Sequence, residues 1–407
     1  MDNKRSIFKL SFQSVGFWLF CLFWASIYLA QDEILPSKVN SICLYLFLGW
    51  GALNFLISKQ FKFNNMTIWM GTFMAFCLMA MVYSPVKGIL DGTFYTLIVN
   101  FVIVFLLTQL TWNSSYFYAF MWVGVLSSVA LVSYMILTNQ MEDSTGRLGA
   151  DLFGNANILA IILMISAMFA LFLLAYQKCN VIVKLLLIGA VALNYYAMFL
   201  SGGRKFIVIP IFFLYVLLFF KKDKFGNSHI FWYTLVIGGI VLLGYWMIMN
   251  IPTFYSAVGV RMEGLFNAIS GSGHAEKSAV VRGDMIEFGL NEGIKTPLLG
   301  HGFDSFQYFY GKSSGVEAYA HNNFVELFFD LGLVGFIIYY FFYVYILRNG
   351  ISRKCDTAIP FRAFSVALIG ALMFFEFGAI TYSVTPIIVI FYLAFAGQEI
   401  RDEEEEA

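Results

Sequence analysis

One histidine stands where a polar stretch meets an apolar one. His321 closes the run GHGFDSFQYFYGKSSGVEAYA at 300–320 and is followed by Asn322, Asn323 and a long helical pattern interrupted by Gly332 and Gly335. An imidazole with an ordinary pKa of about 6.5 takes up a proton near neutrality, which makes it a general-base candidate. Asparagines at the mouth of a helix cap it, and that alone explains their presence. Ionisable groups at membrane depth are costly, so the position is a functional candidate by default. Glu326 falls about 140° round a helix from His321, which suits a supporting group better than a direct partner. Glu376 is a buried carboxylate with no assigned part.

Two arginines carry the second kind of chemistry. Arg204 and Lys205 lie in the turn SGGRK at 201–205, between two apolar runs, and two readings stay open. Either they are interfacial cations snorkelling at a helix end, or glycines and a guanidinium fork surround a bound anion. Arg282 lies in EKSAVVRGDMIEFGLN at 276–291, where it is either one half of a surface ion pair with Glu287 or Glu276, or a second anion clamp. The other histidines read differently: His301 belongs to a tight glycine turn and is structural, while His229 and His274 have no assigned part.

The elements that must position these residues are membrane spans. Hydrophobic residues make up 60% of the 407 and charged residues 12%, against about 25% charged in soluble domains. With zero net charge, no general basic field exists to hold nucleic acid. The five cysteines show neither metal-ligand spacing nor a disulfide framework, and no metal or cofactor is expected. A span needs about 20 apolar residues. By that rule segments 14–30, 39–57, 66–83, 93–110, 116–137, 156–176, 181–200, 206–220, 230–250, 323–347, 362–382 and 385–397 give an all-α integral membrane protein of about twelve helices.

Lys and Arg concentrate on the cytoplasmic side of short loops. Fifteen of the 25 lie on segments that are inside when the N-terminus is inside, so both termini are expected in the cytoplasm. The acidic run Asp402–Glu406 then reads as a solvated tail. Three outer segments stand out: 138–155 with Arg147, the turn 201–205, and a large loop over 251–322 that forms a subdomain of one polytopic unit, residues 1–407. Within that loop, 276–291 has the spacing of an amphipathic helix near the outer membrane surface. Belts at the two interfaces and lipid-facing surface account for most aromatic residues.

Taken in order, these pieces resemble the O-antigen ligase and polysaccharide polymerase superfamily of bacterial membrane glycosyltransferases. GRLGADLFGNANILA at 146–160 looks like its Gly-rich segment before a span, and SGGRK like its small-residue and arginine turn. VVRGDMIEFGL is similar to its outer-loop arginine segment, LLGHGFDSF to its glycine turn, and His321-Asn322 with Gly332 and Gly335 to its histidine motif. The resemblance covers roughly 140–345. It implies a GT-C-like fold with one large periplasmic loop, in the inner membrane, and an undecaprenyl-diphosphate-linked glycan as donor.

Carried over by position, the resemblance makes Arg204 and Arg282 ligands of the diphosphate and His321 the catalytic base. Lys205, Asn322, Glu326, Arg147 and Asn157 become supporting residues. The acceptor is a second lipid-linked repeat unit in a polymerase, or lipid A-core in a ligase, and a chain-length regulator is a further partner it allows alongside membrane lipids. The polymerase is the preferred reading. A flippase or other transporter is the alternative outside enzymes, and it would place polar groups at the midplane of paired repeats.

Overall fold

The computed structural model describes residues 2–88, 92–138, 140, 147–220, 228–270, 277–352 and 359–400. The acidic tail, His274, Glu276, Cys355 and several of the basic loop residues used for orientation lie outside them. The described residues are all-helical, 79% helix without strands. In chain order the helices are α1 (Asp2–Leu29), α2 (Lys38–Ser58), α3 (Asn65–Ala80), α4 (Gly92–Gln109), α5 (Ser114–Leu137), α6 (Ala150–Phe153), α7 (Ala156–Tyr176), α8 (Val181–Leu200) and α9 (Arg204–Phe220). Then follow α10 (Ser228–Asn250), α11 (Pro252–Phe254), a π-turn at Tyr255–Gly259, α12 (Val260–Ser270), α13 (Lys277–Gly293), α14 (Phe306–Ser314), α15 (Asn323–Ile351), α16 (Ile359–Glu376) and α17 (Thr385–Gly397).

Among the described residues nine helices are long and apolar enough to cross a membrane. They coincide with nine of the twelve expected segments. The other three, α3, α9 and α17, have 16, 17 and 13 residues. α17 is the instructive one: every residue from Ile387 to Gly397 is buried. A helix that is apolar all round belongs inside a bundle, so here the hydropathy reports the core and not a lipid face. The apolar segment expected to run to 382 ends as helix α16 at Glu376. Residues 377–384 form a connection instead, in which the Thr381 N–H donates to the Asn323 side chain at 3.0 Å and so leaves the helical pattern.

α7 is the axis of the bundle, mostly buried, with α5, α8 and α9 packed on it. α16 lies against α9, α15 and α17. The core is aromatic to an extent that belts and lipid contact do not explain: Trp24, Tyr28, Tyr339, Tyr343, Tyr382 and Tyr392 are its largest fully buried side chains.

α13 forms where the apolar spacing predicts it, but its apolar face does not need a membrane. Met285, with Val281, Ile286 and Phe288, packs with Phe306 and Tyr310 of α14 and Val325 and Phe329 of α15 in a small separate core. That core anchors the 277–320 region to the N-terminal half of α15.

α15 is not one continuous helix. Gly332 (φ 62°, ψ −168°) breaks it into Asn323–Leu331 and Leu333–Ile351. A break frees backbone groups that lipid cannot satisfy, and the turn at 297–302 takes them up. Phe329 O and Asp330 O accept from His301 N and Gly302 N, each at 2.9 Å, while Leu333 N and Val334 N donate to Pro297 O and Leu298 O at 2.8 and 3.2 Å. The Gly-His-Gly turn is therefore the plug of a broken helix. His301 stacks on Phe329 with ring centres 4.3 Å apart and pairs with Thr296 at 3.0 Å, in the structural part expected of it.

Candidate functional site

His321 sits immediately before the N-terminal half of α15 with φ 53°, in the left-handed region. That conformation costs a non-glycine residue roughly 1–2 kcal/mol, and its neighbours hold it there. Asn322 caps the helix, accepting from Val325 N at 3.1 Å, and its amide donates to Phe377 O at 3.4 Å. Glu326, fully buried, accepts from Ala320 N at 2.7 Å. Glu326 thus supports the histidine through the backbone that precedes it, which the helical angle between the two side chains did not reveal. The Tyr319 ring packs on the imidazole at 4.1 Å. Burial, reinforced by the charges of Arg282 and Lys205, pushes the imidazole pKa down to about 4, so His321 is neutral and able to accept a proton at pH 7.

The turn between α8 and α9 is gripped from two sides by arginines. The Arg147 guanidinium donates to Ser201 O at 3.0 Å and to the Asn157 side chain at 3.2 Å. Arg261 donates to Gly202 O at 3.2 Å, while Arg204 donates to the carbonyl of Arg261. Lys205 donates to Gly378 O and lies over the Phe375 ring, 4.6 Å from its centre.

These residues share a cavity of about 770 Å³. Arg147, Asn157, Arg204, Lys205, Arg282, His321 and Glu326 all line it; of the eight expected site residues only Asn322 does not, being spent on its cap. Sequence reasoning missed Arg261, Asp304 and Tyr319, which line it too. Arg261 is one cation among the five basic residues of a long polar loop, and nothing in its spacing singled it out. Asp304 is legible in retrospect, since an acid follows the plugging turn in GHGFD.

Residues 189–340 match the family model of the O-antigen ligases. That segment is similar to the O-antigen ligases, and the match supports the O-antigen ligase and polymerase superfamily. No curated protein matches the chain. Superfamily members are glycosyltransferase-like enzymes acting on lipid-linked glycans. The matched segment contains Arg204, Lys205, Arg261, Arg282, Asp304, Tyr319, His321 and Glu326, whereas Arg147 and Asn157 approach it from the N-terminal side.

From the C-terminal side comes Glu376, whose environment now accounts for it. Its carboxylate accepts from Tyr343 at 2.6 Å, Tyr340 at 2.9 Å, Tyr339 at 3.4 Å and the Thr381 hydroxyl. Asn323 closes the network, donating to Tyr340 OH at 3.0 Å. Fully satisfied buried polar networks fix one arrangement. This one ties α15 to the 377–384 connection, which carries the carbonyls that hold Asn322 and Lys205.

Proposed function

We propose that the protein is a membrane glycosyltransferase that moves a glycan from undecaprenyl diphosphate to a sugar hydroxyl at the periplasmic face of the inner membrane, with both termini in the cytoplasm. The observation that carries this reading is that neutral His321, held in a left-handed backbone, opens on the same cavity as Arg204 and Arg282.

In the proposed reaction Arg204 and Arg282 hold the diphosphate, with Lys205 beside them. His321 removes the proton of the acceptor hydroxyl, whose oxygen forms a bond to sugar C1 as the C1–O bond to phosphate breaks. The electron pair leaves with the diphosphate, where fixed cations stabilise the developing charge. A single displacement inverts the anomeric centre. Transfer onto a second lipid-linked repeat unit makes it a polymerase; the match to a family described as O-antigen ligase supports the second reading, transfer to lipid A-core.

The test is transfer in nanodiscs with the undecaprenyl-diphosphate-linked repeat unit as sole substrate. A ladder of lengthened lipid-linked chains, lost in His321→Ala, is the expected result. Product that appears only when lipid A-core is added makes it a ligase, and silence with both acceptors overturns the proposal.

A further inference from the structure

The cavity is lined by two kinds of group, cations and neutral or acidic hydrogen-bonding side chains. Arg147, Arg204, Lys205 and Arg261 gather on the α8–α9 turn through the bonds they make to it. Asp304 precedes α14 and Gln307 lies in its first turn; both line the same cavity, and Thr93, at the start of α4, hydrogen-bonds Asp304. An acid in a cavity that grips a diphosphate repels that ligand unless it faces another part of the substrate. Among the described residues no cation reaches ion-pair distance of Asp304, so pairing with the protein's own charges does not explain it.

The backbone around Asp304 is fixed on both sides. Phe303 O accepts from the Ser84 hydroxyl at 2.8 Å, and Ser305 N and Phe306 N donate to Asp330 at 3.1 and 2.9 Å. Asp304 itself has φ 58°. In a turn that already contains Gly300 and Gly302, glycine would adopt this conformation without cost; an acid there spends strain to present a side chain to the cavity. A carboxylate accepts from two hydroxyls and the adjacent Gln307 amide both donates and accepts, a set suited to neutral polyols. Burial raises the Asp304 pKa, with the Thr93 hydroxyl opposing, and a more basic carboxylate is a better acceptor of hydroxyl protons in hydrogen bonds.

We infer that Asp304, with Gln307 and Thr93, forms the subsite that binds the hydroxyl groups of the acceptor sugar. The inference rests on the glycosyl-transfer reading above and adds to it where the acceptor lies: at Asp304, close enough to Glu326 for their charges to interact, in the cavity that His321 also lines.

The experiment uses full-length protein in nanodiscs and three probes: undecaprenyl diphosphate for binding, the lipid-linked repeat unit as saturating donor, and the free repeat-unit or core oligosaccharide as titrated acceptor. Asp304→Asn is expected to bind undecaprenyl diphosphate within about twofold of wild type while KM for acceptor rises about tenfold and kcat changes little, the loss expected of one buried charged hydrogen bond. Gln307→Ala, a milder change, is expected to move KM in the same direction and guards against misfolding of the first variant. Unchanged acceptor KM in both variants overturns the inference. So does a fall in kcat alone, which would make Asp304 the proton acceptor, and so does loss of undecaprenyl diphosphate binding, which would assign it to the donor. A wild-type protein that neither binds undecaprenyl diphosphate nor transfers glycan overturns the glycosyl-transfer reading itself.

Discussion

Gly300 and Gly332, one in the turn at 297–302 and one inside the apolar helix, lie back to back. A Cβ on Gly332 would collide with the Leu298 carbonyl and come within 2.6 Å of Gly300 N, and a Cβ on Gly300 would collide with the carbonyl of Asp330 and come within 2.6 Å of Gly332 N. Both residues have positive φ, 71° and 62°. The contact lets the turn supply the backbone partners that the broken helix lacks.

Alanine at either glycine is therefore expected to destabilise strongly, since the clash falls on backbone that cannot move away. Gly332→Ala should cost more than about 3 kcal/mol, combining left-handed strain with displacement of the turn. Gly315→Ala is the matched control: φ is also positive, 77°, but nothing lies within 4 Å of the added carbon, so its cost should stay near about 1 kcal/mol. Thermal unfolding in detergent compares them, and equal melting temperatures would contradict the account of the plug.

The depressed pKa of His321 fixes the sign of two pH effects. Between about pH 6.5 and the folded value of about 4 the unfolded chain binds a proton that the folded one does not. Stability from this group is thus complete above the upper limit and lost as pH falls through the window. For activity, the acid limb of kcat/KM should lie well below 6.5, because the free enzyme keeps the imidazole neutral. Bound diphosphate offsets the charges of Arg282 and Lys205, so the acid limb of kcat should lie at higher pH. Arg282→Gln should raise the limb of kcat/KM, and a pH–rate profile that Arg282→Gln leaves unmoved would refute the coupling.

Much of this was legible in the sequence, for reasons that also mark where legibility stops. Apolar runs located the nine long helices, because lipid and core both demand them, yet for the same reason they did not reveal that α17 is buried all round. His321, Arg204 and Arg282 stood out because charge is scarce in such a chain. What could not be read was anything set by a distant partner: the Gly332 break needs residues 297–302, Glu326 finds Ala320 N, and Glu376 finds three tyrosines on α15. Arg261 was hidden because its value comes from Gly202 and Arg204, fifty-odd residues earlier.

Arg261 should prove as necessary as Arg204. It bonds Gly202 O, its own carbonyl holds Arg204, and it lines the cavity. Arg261→Ala is expected to weaken undecaprenyl diphosphate binding about tenfold or more. Arg261→Lys should recover little, because an ammonium cannot reproduce the planar fork. Binding measured in nanodiscs for the two variants decides this, and full rescue by lysine would reduce Arg261 to a point charge.

Glu376 gives the last contrast. Glu376→Leu leaves the hydroxyls of Tyr339, Tyr340, Tyr343 and Thr381 without their shared acceptor in the interior, at a cost on the order of 3–5 kcal/mol. Glu376→Gln keeps a carbonyl oxygen for two of them and should cost about 1–2 kcal/mol. Because the connection after Glu376 carries Phe377 O and Gly378 O, which hold Asn322 and Lys205, even folded Glu376→Gln should transfer glycan more slowly. Unfolding in detergent, paired with transfer rates taken below the melting temperature of each variant, separates the two effects. Wild-type rates in folded Glu376→Leu would show that the network stabilises the bundle without positioning the site.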